Sequence, residues 1–143
     1  MAVRVKLRIR SRATSRSIEA SALVNSGYET IKPQLLVPVK VAELLGLWPS
    51  IPRHYVVREY MTAGGPIKNY VLEDEVYVNV IVEYNTEPVI ADLVISTVED
   101  EILISDKLAG RLGIIVYDFA EGVWKLRSDP ENIKRKSEAR QTW

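Results

Sequence analysis

Ala22-Leu23-Val24-Asn25-Ser26-Gly27-Tyr28-Glu29-Thr30 is the stretch on which the reading of the fold turns. Small and apolar residues run into an amide, a hydroxyl and a glycine. That order describes a strand ending in a tight loop, with Gly27 giving backbone freedom and letting another chain segment come close. Taken alone, Asn25 is a turn residue, since Asn caps turns and tolerates unusual backbone angles. Upstream, Val3, Val5, Leu7 and Ile9 alternate with Arg4, Lys6, Arg8 and Arg10. This strict period of two predicts a half-buried strand with a basic outer face. Residues 11–16 are a polar turn, and Ser17–Val24 returns as the strand that delivers the loop.

Downstream, Ile31–Val37 is β-prone but holds Pro33, which predicts at most an edge or bent strand. Pro38 opens a short helix, about 38–46, that stops at Gly46. Tyr55–Tyr60 and Val71–Glu83 are strands joined through the glycine-rich turn Met61–Pro66, a hairpin with a mobile tip. Val89–Thr97 and Ile102–Ile104 follow as short buried strands. Ser105 or Asp106 caps a second helix, about 106–112, which Gly113 ends; for Ser105 the cap is the favoured role. Ile114–Tyr117 and Val123–Arg127 frame a last hairpin. The expected organisation is one domain over 1–127 and a polar C-terminal tail over 128–143, unstructured by itself. Trp143 in that tail is expected to dock on a partner or on the same body.

Composition narrows the function classes. At 143 residues, 47% apolar and 27% charged, the chain suits one globular domain with its own core. The absence of cysteine excludes disulfides, thiolate metal sites and a cysteine nucleophile, and His54 as the single histidine excludes a multi-histidine metal cluster. No metal and no cofactor is expected. Residues 4–16 are basic without an acid, whereas acids dominate from Glu73 to Glu101. Two solvated strand faces account for this split; a dipolar surface favouring self-association is the alternative. Asp74 and Asp100 are assigned to exposed turns, and Tyr28, Trp48, Tyr55, Tyr60 and Trp124 to core or interface. The basic strand lacks interleaved aromatics and net charge is zero, so nucleic-acid binding is the minor reading. No segment is apolar for long enough to span a membrane and no signal-peptide core stands at the N-terminus, so a cytoplasmic address without membrane contact is expected.

A weak internal echo links the two halves. Leu36-Val37-Pro38 through Leu47 aligns without gaps on Leu103-Ile104-Ser105 through Ile114, and Ala22-Leu23-Val24 has a looser partner in Ala91–Val94. Each half reads strand, turn, strand, short helix, as expected of two related units about a pseudo-twofold axis.

With Asp in place of Asn25, Ala22–Gly27 would be the catalytic loop of the retroviral-type (retropepsin-like) aspartic proteases, and the chain resembles that family over roughly residues 3–127. Three further features carry the resemblance. The Thr62-Ala63-Gly64-Gly65 hairpin stands in the place of the family's flap, Ile102-Leu103-Ile104-Ser105 in that of an aliphatic run ending in glycine, and a Leu-x-x-Leu-Gly-Ile helix follows. The implied fold is mainly β, a closed barrel with two short helices and a flap hairpin. The implied function is a homodimeric aspartic endopeptidase, in which two carboxylates, one per subunit, share a proton and hydrolyse a peptide bond. By resemblance the catalytic positions are Asn25, Ser26 and Gly27, and Thr62, Ala63, Gly64 and Gly65 bind the peptide or protein substrate. Asn25 departs from the family where the chemistry is done, because an amide has no proton to exchange near neutral pH. The enzyme is therefore expected to be inactive or crippled as written. The alternative is a non-catalytic module on the same fold that binds peptides by strand addition.

Overall fold

The computed structural model describes residues 2–143; Met1 and the side chains of Tyr60 and Thr62 lie outside the described set. The elements in chain order are β1 (Arg4–Ser11), β2 (Ser17–Val24), β3 (Gln34–Pro38), α1 (Val39–Leu44), β4 (Val56–Thr62), β5 (Gly65–Val80) and β6 (Val89–Ser96). After these come β7 (Ile102–Ile104), α2 (Asp106–Leu112), β8 (Ile114–Asp118), β9 (Val123–Leu126) and β10 (Arg135–Lys136).

The period-two pattern of β1 is realised as read. Val5, Leu7 and Ile9 point inward and are fully buried, while Lys6, Arg8 and Arg10 face solvent. β1 pairs antiparallel with β2 on one side and with β5 on the other, where Leu7 lies opposite Val80. This second pairing closes the order β1-β2-β7-β3-β6-β5 into a six-stranded barrel, with β4 hanging from β5 alone. The fold is thus mainly β with two short helices, as expected. β8, β9 and β10 form a separate small sheet.

The internal echo has a structural counterpart. β2 runs parallel to β7 with Leu23 opposite Leu103, and β3 runs parallel to β6 with Leu36 opposite Val94. Between them β3 and β7 are antiparallel, with Leu36 opposite Leu103, the residues that the echo aligns. A local twofold axis therefore passes between these two leucines. The two helices obey it, each following its strand directly.

Three expectations are corrected. Pro33 does not demote its strand to an edge, because β3 begins one residue later and lies between β7 and β6. The Pro33 carbonyl accepts from Asp92 N at 2.9 Å, a bond that needs no proline N–H. Leu35 and Val37 fill the barrel and Leu36 is buried on its outer side, as a central strand requires. Second, the acids between Glu73 and Glu101 are not all solvated. Glu75, Asp92 and Glu101 are buried, and each meets a cation: Arg53, Lys32 and Arg4 respectively. Third, residues 128–143 lie against the barrel. Arg4 N donates to Ser137 Oγ at 2.7 Å, Glu138 N to the Arg4 carbonyl at 2.8 Å and Trp143 N to the Asp100 carbonyl at 2.8 Å. Polar composition misleads here because the segment is held through backbone groups, with the Trp143 ring packed on the core.

Candidate functional site

β2 ends at Val24, opposite Ile104, and the next residue opens the loop. Asn25 N donates to the Ile104 carbonyl at 3.2 Å, and Asn25 O accepts from Tyr28 N at 3.0 Å. The Asn25 side chain turns back on its own loop, Oδ1 accepting from Gly27 N at 3.1 Å. A carboxylate accepts in the same way, so Asn25 keeps this loop bond while lacking a titratable proton. Ser26 and Gly27 are exposed. Gly27 does not occupy the left-handed region, and a Cβ there would meet Asn25 Oδ1 at an ordinary 3.4 Å. The freedom expected of this glycine is therefore unused by its own chain; what it leaves open is the space in front of the loop.

The first turn of α2 holds the loop from behind. Asp106 N donates to the Tyr28 carbonyl at 2.9 Å, and Thr30 N donates to Asp106 Oδ1 at 3.0 Å. Ser105, fully buried, caps the helix as expected by accepting from Leu108 N at 3.1 Å. The same oxygen accepts from Gln34 N at 3.1 Å and so ties α2 to β3.

Beside the loop lies a cleft of about 590 Å³. Gly27 to Lys32 form one wall, Arg58 of β4 and Asn69 and Val71 of β5 the other, and Leu36 and Val94 the floor. Leu36, Val71 and Val94 make a small apolar cluster on the outside of the barrel, with Tyr28 packed against it. Tyr28 OH donates to Gln34 Oε1 at 2.9 Å, which fixes the ring over the floor. At one end Lys32 Nζ sits 3.1 Å from the buried Asp92 and 3.2 Å from Asp74. Hydrogen bonding to Asp92 raises the Lys32 pKa above its usual value, so this lysine stays charged.

Of the residues expected at the site, Gly27 lines the cleft, whereas Asn25 and Ser26 precede it in the loop and are not among the lining residues. Ala63 and Gly64 form the turn of the β4–β5 hairpin, with Thr62 opposite Gly65 in the register. Gly65 has φ +111 with open space around it, a conformation that suits glycine. This tip does not line the cleft; the hairpin contributes from its base, and the Thr62 side chain lies outside the described residues. Sequence reasoning missed Lys32, Arg58 and Asn69. A signal for Asn69 was present, as a polar residue ahead of the apolar run Tyr70-Val71-Leu72.

Among the described residues no group of three His, Cys, Asp or Glu side chains is placed to hold a metal ion, and no helix is long and apolar enough to cross a membrane. No protein-family model matches the chain, and no curated protein matches it.

Proposed function

We propose that the chain is one half of a retropepsin-like homodimer that binds extended peptides, with Asn25 standing where that family carries its catalytic aspartate. The observation that carries this reading is the loop itself: Asn25 Oδ1 accepts from Gly27 N at the end of β2, and Gly27 lines a cleft to which the β4–β5 hairpin also contributes. In a working dyad one carboxylate takes a proton from water as the oxygen attacks the scissile carbonyl carbon. The other gives its proton to the carbonyl oxygen, and the amine leaves protonated. Two amides supply neither the base nor the acid, so the chain as written binds but does not cut.

Asn25→Asp tests this. The variant is expected to cleave a diverse peptide pool with an acid-favoured profile, at least about 100-fold faster than the parent, the usual scale of acid–base catalysis. An active-site inhibitor of aspartic proteases blocks the gain. A folded variant of unchanged size that cuts nothing overturns the peptidase framework. Peptide binding retained in that case supports the non-catalytic module.

A further inference from the structure

Along the cleft face of β5, Asn69, Val71 and Glu73 follow one another at every second position. Each belongs to a different kind of surface. Asn69 lies between Arg58 of β4 and Ser96 of β6 in the ladder; Val71 lies between Val56 and Val94. This wall is therefore basic and polar at one end, apolar in the middle and acidic at the other.

Two features at the ends point to a ligand. Asn69 is only 9% exposed, yet its Oδ1 has no hydrogen-bond partner among the described residues. A buried acceptor left unpaired is uncommon, and here it belongs to a residue that lines an open cleft. Arg58 and Glu73 also have no ion-pair partner among the described residues. Lys32, the other cation in the cleft, is already held by Asp92 and Asp74.

Resting on the peptide-binding reading above, we propose that this cleft selects an extended segment with an acidic, an apolar and a basic side chain at successive alternate positions. Asn69 Oδ1, covered and unpaired in the free chain, turns to accept a backbone N–H of the segment, and Arg58 takes the acidic group. Leu36, Val71 and Val94 seat the apolar side chain, and Glu73 takes the basic one. The match is one of period, since alternate side chains of a strand are spaced about 6.8 Å apart in both ligand and β5.

The experiment is fluorescence anisotropy on the full chain with four labelled peptides sharing one central leucine. Their flanking positions are acidic and basic, both acidic, both basic, or both alanine. The mixed peptide is expected to bind at least tenfold more tightly than the other three. Arg58→Glu is expected to weaken the mixed peptide tenfold and raise the doubly basic one above it. Asn69→Leu, which removes an unpaired buried acceptor and so keeps the fold, is expected to weaken all four alike. If the four bind within twofold of one another and Arg58→Glu leaves their order unchanged, the selectivity is wrong while peptide binding stands. If none binds, and a random peptide pool does not bind either, both readings fall.

Discussion

Ser105 concentrates two connections in one oxygen. It accepts from Leu108 N inside α2 and from Gln34 N at the start of β3, with no exposure to water that would replace either bond. Ser105→Ala should therefore cost about 1–2 kcal/mol in denaturant unfolding, and Ser105→Gly at least as much, since neither offers an acceptor. Asp129 shows the same economy with charge. Arg135 donates to it from Nε at 2.8 Å and from a terminal nitrogen at 2.7 Å, and Leu126 N and Tyr84 OH donate at 2.8 and 2.7 Å. The hydrogen bonds from Arg135 hold this carboxyl far below the usual aspartate range, against the opposing effect of burial. A folded-state pKa below the unfolded one contributes stability that is complete above the unfolded value, near 3.9, and is lost as pH falls toward the folded one. Asp129→Asn should thus lower stability at neutral pH by about 2 kcal/mol and by progressively less below about pH 4, as urea melts across that range would record.

The elements that sequence made legible are those in which one periodicity acts alone. β1 alternates, α2 has its cap and its Gly113 stop, and the bounds of both agree with these signals to within about a residue. Pro33 is a misleading signal for β3 because the strand begins one residue after it. β5 starts earlier than its pattern suggests: Gly65 and Pro66 signal a turn, whereas the two-residue turn Ala63-Gly64 lets the ladder start at Gly65. The site was half legible for the same reason. Loop residues Asn25–Gly27 form a contiguous motif, but Arg58, Asn69 and Lys32 meet only through the barrel's closure, which local pattern does not encode. The C-terminal segment is the plainest case of long-range order without local signal. Its contacts reach Arg4, Ser21 and Asp100, far away in sequence. Removing residues 137–143 should cost about 3 kcal/mol, chiefly through the Trp143 ring packed on the core, and should leave a folded barrel of lower Tm.

At the scale of the molecule, the local twofold between β3 and β7 raises the question of why a chain with two related halves would, on the proposed plan, take a second copy. The two strands equivalent under that axis, β2 and β6, do not end alike. β2 delivers Asn25-Ser26-Gly27 to an open rim. β6 ends in Ser96, which is buried at 1% exposure and whose oxygen accepts from Val98 N and Glu99 N of its own turn. Both polar residues accept from backbone N–H groups of their own loops, but Ser96 is buried whereas Asn25-Ser26-Gly27 is open, so a paired site on the proposed plan requires the loop of another molecule. Gly27 is where the two loops would meet, and nothing among the described residues requires glycine there. Gly27→Ala therefore separates folding from assembly. Folding should be unchanged or gain about 0.4–1 kcal/mol through a less flexible unfolded chain, because the backbone angle suits alanine. Assembly should suffer, since an added methyl on each side of a twofold contact keeps the loops apart. Sedimentation over a range of concentrations should record a dimer for the parent and at least tenfold weaker association for the variant, with an equal or higher Tm for the variant's monomer. A parent that sediments as a monomer throughout, or a variant that dimerises as tightly as the parent, would remove the second loop from the site and leave the cleft beside Asn69 as the feature to explain.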